Sequence, residues 1–129
     1  MYKDQAKQRS ITYNVEGEKN LTASFDPELF KQTMMNIIQN AFDAVDNDGI
    51  VSIKYTGEDG KLIILIYDNG SGIEPEEQKK IFDLYYTTKK EGNGLGLSIS
   101  QKIISQHNGL IDLSSNKKGT IFKITIPMV

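Results

Sequence analysis

The sequence predicts an α+β fold, a two-layer α/β sandwich with a mixed, mostly antiparallel sheet and about three helices on one face. Three observations point there. Strand-like stretches come in consecutive pairs joined by short turn clusters, so hairpins dominate over βαβ crossovers. Two longer stretches, residues 26–47 and 95–107, carry apolar residues at helical spacing. The run Leu62-Ile63-Ile64-Leu65-Ile66-Tyr67 is continuous and rich in β-branched residues, as a central strand covered on one or both faces requires.

In chain order, residues 1–9 (MYKDQAKQR) are polar and without periodicity, and read as a linker or a frayed end. Residues 10–129 read as one domain. Residues 10–15 (SITYNV) alternate apolar and polar, as a half-buried strand does. Leu21, Ala23 and Phe25 alternate again after a turn containing Gly17, which predicts a hairpin. Asp26 is a good N-cap, Pro27 suits the first helical position and Glu28 complements the positive helix end, so a helix starts here. Its pattern stops at Asp46-Asn47-Asp48-Gly49. Val51, Ile53 and Tyr55 form the next strand, and Gly57-Glu58-Asp59-Gly60 joins it to the central one. Glu74 and Pro75 resemble a short helix start. Residues 83–96 read as a long mobile loop, which in a compact domain is usually functional. Leu97, Ile99, Ile103 and Ile104 mark a second full helix, stopped by Asn108-Gly109. Leu110–Leu113 and Ile121–Ile126 are the last strands, turned through Asn116-Lys117-Lys118-Gly119. The predicted order is ββ-α-ββ-α-α-ββ.

Composition narrows the function. The chain has 129 residues, long enough for one genuine core, and 38% are apolar and 25% charged, as in a soluble domain. Its net charge of −2 leaves no broad basic surface for nucleic acid. The absence of cysteine excludes disulfides, thiol catalysis and cysteine-ligated metals. No apolar run reaches membrane-span length, and no signal peptide is visible. Arg9 is the only arginine, so a phosphate contact in the folded part has to use Lys, backbone N–H groups or a metal.

The first long helix has two faces. Phe30, Met34, Ile37, Ala41 and Val45 fall on one side. Asn36, Asn40, Asp43 and Asn47 fall on another, at spacings of three and four. On the helix alone this stripe reads either as a solvated face rich in Asn or as a row of oxygen ligands for a cation and its polar ligand. Two glycine clusters bear on the choice. Asp68-Asn69-Gly70-Ser71-Gly72 ends a buried strand with a carboxylate, although Asp-Asn-Gly is also an ordinary turn. Gly92-Asn93-Gly94-Leu95-Gly96-Leu97 leads into a helix, whose free N–H groups attract phosphate. It is neither a dinucleotide fingerprint nor a Walker loop, because it does not follow a strand within a βαβ unit and lacks GxxxxGK[ST]. Lys89 and Lys90 share that loop, where a lysine is either simply solvated or a mobile point charge for a polyphosphate. His107, the only histidine, sits in the last turn of a helix and reads as structural.

Taken together, the motifs stand in a specific order. They are Asn36-Ile37-Ile38-Gln39-Asn40-Ala41-Phe42-Asp43-Ala44, Asp68-Asn69-Gly70-Ser71-Gly72, Ile81-Phe82-Asp83-Leu84-Tyr85-Tyr86-Thr87-Thr88-Lys89, Gly94-Leu95-Gly96-Leu97 and Gly119-Thr120. From about residue 10 to the end, the chain resembles the catalytic ATP-binding domain of bacterial sensor histidine kinases. That domain has a Bergerat-type fold shared with DNA gyrase, Hsp90 and MutL. The resemblance implies a protein-histidine kinase using ATP and Mg²⁺, with Asn36, Asn40 and Lys89 as its catalytic residues. By position, Asp68 would accept a hydrogen bond from the adenine amino group, and Gly70, Gly72 and Ile73 would line the base. Asn40 would ligate Mg²⁺, Asn36 would lie near the reacting phosphate, and Asp43 would stand beside them. Gly94, Leu95, Gly96 and Leu97 would cradle phosphates. Thr120 would support the adenine end, and Tyr86, Thr88 and Lys89 would belong to an ATP lid over residues 83–94. The implied partners are a histidine-bearing dimerisation domain of the same parent and a response regulator receiver domain, with no nucleic acid. The isolated domain is expected to be cytoplasmic and monomeric, whether or not its parent is membrane-anchored.

Departures from the family pattern are informative. Many histidine kinases carry Lys where this chain has Asp43, which puts a phosphate role for this residue in question. Leu84 and Tyr85-Tyr86 replace a more usual Pro and Phe-Phe. The hydrolysing relatives place Glu at the position of Asn36, and an amide cannot act as a general base. The resemblance therefore implies transfer with slow hydrolysis. Two alternatives are a protein serine kinase of the anti-sigma type and a non-catalytic nucleotide-sensing module of the same fold.

Overall fold

The computed structural model describes residues 2–83 and 96–129. The elements are α1 (Tyr2–Gln8), β1 (Thr12–Gly17), α2 (Pro27–Ala44), β2 (Ile50–Glu58), β3 (Lys61–Asp68), α3 (Pro75–Gln78), α4 (Gly96–Gln106), β4 (Leu110–Asn116) and β5 (Gly119–Pro127). The five strands form one sheet in the order β1-β2-β3-β5-β4. Only β1 and β2 run parallel; every other neighbouring pair is antiparallel. Period-2 alternation puts Val51, Ile53, Ile64, Ile66, Phe122, Ile124 and Ile126 on the covered face. There they meet Ile37, Ile38, Ala41 and Phe42 of α2 and Ile104 of α4 in one core. On the opposite face Ser52, Leu65 and Tyr67 are half-buried, and Lys54 and Lys123 are exposed. The expected two-layer α+β sandwich with a mixed, mostly antiparallel sheet is therefore present.

Helix α2 starts where the sequence places it. The Asp26 carboxylate accepts from the backbone N–H groups of Glu28 (2.9 Å) and Leu29 (3.1 Å), which satisfies two of the free donors at the helix start. The helix ends at Ala44, because Val45 turns to extended backbone (φ −99°, ψ 152°). Asn47, expected on the polar stripe, lies beyond the helix, where its Oδ1 accepts from Arg9 Nε at 3.3 Å.

Two expectations are corrected. Residues 1–9 are not a frayed end, since Tyr2–Gln8 form α1. Ala6 is buried, and the Tyr2 ring stacks on Phe42 with centroids 5.2 Å apart and planes 9° from parallel. The Tyr2 hydroxyl donates to the Met35 carbonyl at 3.1 Å. Arg9 donates to the carbonyls of Phe42 (2.8 Å) and Val45 (2.7 Å) at the C-terminal end of α2, which has no basic residue in its own last turn. A single i, i+4 apolar pair in seven residues is too short a pattern to register as periodicity.

The second correction concerns the first hairpin. β1 pairs in parallel with β2, from Thr12 opposite Ile50 to Gly17 opposite Tyr55, and α2 serves as the crossover. Residues 21–25 make only an isolated bridge, between Ala23 and Met128. Leu21, Ala23 and Phe25 are indeed alternately half-buried. Their alternation reflects side chains packing on the end of the core rather than a ladder. Asn20, at φ +64°, turns the chain out of β1's path.

His107 has the structural role expected of it. Its ring stacks on Phe25 at 3.7 Å with planes 8° apart. Its Nδ1 faces the Ile103 carbonyl at 2.7 Å, and its Nε2 accepts from the Asp26 N–H at 3.2 Å. The ring thus ties the end of α4 to the start of α2.

Candidate functional site

Strand β3 delivers its last residue, Asp68, to the covered face, two places on from Ile66 and four from Ile64. Across the sheet the same row holds Val51 on β2, Thr120 on β5 and, beyond Thr120, Ser115 on β4. Asp68 is only 3% exposed. Among the described residues its carboxylate has one hydrogen-bond partner, the Gly70 N–H at 2.9 Å. Burial pushes the carboxyl up from 3.8 to about 6, against the smaller opposing pull of that N–H. A buried carboxylate without a cation costs stability. Packing does not reward it there, whereas a donor from an incoming ligand would.

The loop after Asp68 is held from two sides. Asn69 pairs with Ile50 in both directions, its Oδ1 accepting at 2.7 Å and its N–H donating at 3.1 Å. Gly70 lies so close to the Ala44 carbonyl at the end of α2 that a Cβ has no room. Gly72 has φ +85° and packs against the Asn116 carbonyl in the same way. Ile73 is half-buried against the core, and its N–H donates to Ser115 Oγ at 2.8 Å. Ser115 Oγ also lies 2.7 Å from Thr120 Oγ1. Gln78 Nε2 donates to the Ile73 carbonyl at 2.7 Å. Asp68, Gly70, Gly72, Ile73 and Thr120 therefore lie together around the end of β3, the loop that follows it and the start of β5.

The stripe on α2 runs away from this loop. Asn36 Nδ2 reaches α4, donating to the Gly96 carbonyl at 3.4 Å and to Ser100 Oγ at 3.3 Å. The first turn of α4 thus lies against Asn36. Leu97 is half-buried and packs on the core from the same turn. Asn40 is half-buried one turn along α2, between Asn36 and the loop. Asp43 is exposed and accepts from Gln39 Nε2 at 3.0 Å. Of the remaining expected site residues, Tyr86, Thr88, Lys89, Gly94 and Leu95 lie outside the described residues, as does the expected lid beyond Asp83.

Sequence reasoning missed Ser115 and Ser100. Serine carries no periodic signal, and both act through long-range pairings, Ser115 by its place opposite Thr120 and Ser100 by facing Asn36 across two helices. No group of three or more His, Cys, Asp or Glu side chains converges among the described residues. A cation here would depend on amide oxygens and on the ligand's own oxygens. From the loop to α4 the chain sets out, in order, the buried acceptor Asp68, the amides of Asn40 and Asn36 on α2, and the first turn of a helix. That arrangement fits an elongated ligand with a donor-bearing ring and an anionic tail.

Comparison with known proteins agrees with this geometry. The family described as histidine kinase-, DNA gyrase B-, and HSP90-like ATPase matches residues 25–129. The sensor histidine kinase ZraS of Salmonella typhimurium is 40% identical over 107 residues, covering 81% of this chain and 23% of ZraS. The chain thus spans about a quarter of the length of that relative. Among solved structures, the nucleotide-free catalytic domain of histidine kinase ThkA superposes with a TM-score of 0.90 at 31% identity, covering 98% of this chain and 84% of that one. ThkA solved in complex with the response regulator protein TrrA gives a TM-score of 0.86 at 28% identity, covering 99% of this chain and 37% of that one. Among the described residues, no helix is long and apolar enough to cross a membrane. With the fold, the buried Asp68 and the family profile in agreement, the chain belongs to the histidine kinase-, DNA gyrase B- and HSP90-like ATPases, within the group formed by histidine-kinase catalytic domains.

Proposed function

We propose that a nucleotide cleft runs from Asp68 along Asn40 and Asn36 to the first turn of α4, that the chain binds Mg·ATP there, and that it supports transfer of the γ-phosphoryl group to a histidine on a separate dimerisation domain. The observation that carries this reading is Asp68, a buried carboxylate raised to about 6 whose only partner among the described residues is the Gly70 N–H. An exocyclic amino group of a purine supplies the donor it lacks. Gly70, Gly72 and Ile73 then flank the base, and Thr120, held by Ser115, closes that end. Asn40, assisted by Asn36, would hold Mg²⁺, which neutralises phosphate charge when bound. The N–H groups at Gly94–Leu97 take the phosphates. Lys89 adds a cation, and Tyr86 and Thr88 contribute from the lid. Asp43, exposed and accepting from Gln39, would stand beside the phosphates.

Phosphoryl transfer depends on positioning and charge neutralisation. Asn36 supports transfer over hydrolysis, because its amide cannot take a proton from water. The acceptor histidine lies outside the chain, since both ring nitrogens of His107 are occupied by Ile103 and Asp26. The ThkA–TrrA complex supports a response regulator as the next recipient. The test is incubation of this chain and labelled ATP with a histidine-bearing dimerisation domain. An acid-labile, alkali-stable phosphoprotein is expected. An acid-stable product would instead indicate a serine kinase. Tight ADP binding with no transfer to any dimerisation domain would indicate a sensing module.

A further inference from the structure

The polar seam between α2 and α4 assigns a role to Ser100. This side chain is fully buried at 0% exposure, on the fifth residue of α4. A hydroxyl in such a place has to spend its hydrogen bonds on the protein. Ser100 Oγ donates its one proton to the Gly96 carbonyl at 2.8 Å, one turn back along its own helix. Its lone pairs are then what it can offer to α2. Asn36 Nδ2 sits 3.3 Å from Ser100 Oγ and 3.4 Å from the same Gly96 carbonyl. The amide nitrogen of Asn36 therefore faces two acceptors at once. Had the Asn36 carbonyl oxygen been turned to α4, it would confront an acceptor and a hydroxyl whose proton is already committed.

We infer that Ser100 is a positioning residue that fixes the orientation of the Asn36 amide, so that Asn36 presents its carbonyl oxygen to the cleft. An oxygen there coordinates a cation or accepts from a bound N–H or water, whereas an NH₂ group would do neither. Ser100 also ties Asn36 to the first turn of α4, so one hydroxyl registers the metal-facing wall of the cleft against its phosphate-facing helix. Without Ser100 only the Gly96 carbonyl, at 3.4 Å, is left to hold the amide in this orientation. The consequence for nucleotide rests on the proposed Mg·ATP reading; the orientation of the amide does not.

The experiment uses the 129-residue chain and three variants, Ser100→Ala, Ser100→Thr and Asn36→Ala, with the Ser100→Ala/Asn36→Ala double. Ser100→Thr keeps the hydroxyl and serves as the rescue. The first measurement is the side-chain NH₂ resonance pair of Asn36, assigned by its loss in Asn36→Ala. In the wild type this pair is expected to be resolved and slow to exchange with solvent. In Ser100→Ala, with only the Gly96 carbonyl left as acceptor, it should move towards the position and exchange rate of a free amide, and in Ser100→Thr it should stay. Amide signals unchanged in Ser100→Ala would overturn the inference, whatever the chain does with nucleotide. The second measurement is calorimetric affinity for a non-hydrolysable ATP analogue with Mg²⁺ and with EDTA. Ser100→Ala is expected to lose about tenfold with Mg²⁺ and less than twofold with EDTA, and to add nothing once Asn36 is alanine. An equal loss in both conditions, or an additive loss in the double variant, would also overturn it. If the amide signals respond as expected and no analogue binds even to the wild type, the fault lies with the Mg·ATP reading instead.

Discussion

Asp68→Asn separates stability from binding at one atom. In the empty domain the carboxyl titrates at about 6, against 3.8 for the unburied group. Because the folded value is raised, the contribution of Asp68 to stability is fully present below pH 3.8 and is lost as pH rises through about 6. The gap between those two values, at about 1.4 kcal/mol per pH unit, makes the ionised carboxylate a cost of up to about 3 kcal/mol at neutral pH. Asparagine is nearly isosteric, keeps an oxygen for the Gly70 N–H and carries no charge. The nucleotide-free variant should therefore be more stable than wild type at pH 7.5, by roughly 1–3 kcal/mol, or several degrees in Tm for a domain of this size. At pH 4.5, where the native carboxyl is mostly protonated but the unfolded one is still largely ionised, the difference should shrink to about a third. The same variant should bind ADP at least tenfold more weakly, because its amide can turn a donor towards the adenine amino group. Urea titrations at the two pH values and calorimetry with ADP measure both effects. A variant less stable than wild type at pH 7.5, or a stability difference equal at both pH values, would refute the desolvation argument. Unchanged ADP affinity would refute the assignment of Asp68 to the base.

The remaining predictions address other parts of the cleft. Wild-type ADP affinity should fall roughly tenfold between pH 7 and pH 5, as the acceptor on Asp68 is protonated; a flat profile by calorimetry would contradict it. Asn40→Ala should weaken only the Mg²⁺-dependent part of nucleotide binding, and a magnesium titration matching wild type would exclude that role. Arg9→Ala removes two short charged hydrogen bonds to the end of α2 and should cost about 1–3 kcal/mol in urea unfolding. Gly72→Ala forces a Cβ against the Asn116 carbonyl at φ +85°, so thermal melting should drop and ADP binding weaken together. Steady-state ATP hydrolysis by the chain alone should stay close to the protein-free background, since Asn36 supplies no base; a fast rate in a coupled assay would count against the transfer reading.

How much was legible in the sequence depended on the range of each interaction. The β2–β3 and β4–β5 hairpins were readable because alternation and turn residues lie next to each other in the chain. Helices α2 and α4 were readable from their apolar spacing, and Asp26 marked the start of α2 by a local hydrogen-bond preference. The parallel pairing of β1 with β2 was not readable, because it joins strands on either side of an 18-residue helix. The alternation of Leu21, Ala23 and Phe25 was real, but period 2 reports which side chains are sheltered, not whether the backbone finds a ladder. Arg9 was visible as the lone arginine, yet its use as a cap depends on a helix end more than 30 residues away. At the site, Asp68 stood out because a carboxylate ended a buried strand. Its elevated pKa did not, since desolvation is a property of the packed surroundings. Ser115 and Ser100 were hidden for the same reason.

The place of α1 and β1 bears on where this domain should be cut. The family profile begins at residue 25, after both elements. A fragment trimmed to that boundary would leave β2 as an edge strand with open backbone donors and acceptors along Ile50–Glu58. It would also uncover the Phe42 ring now stacked beneath Tyr2, and release the α2 carbonyls held by Arg9. Such a fragment retains every motif by which the family is recognised and lacks part of what keeps them folded. The homology boundary and the folding boundary of this domain are different residues.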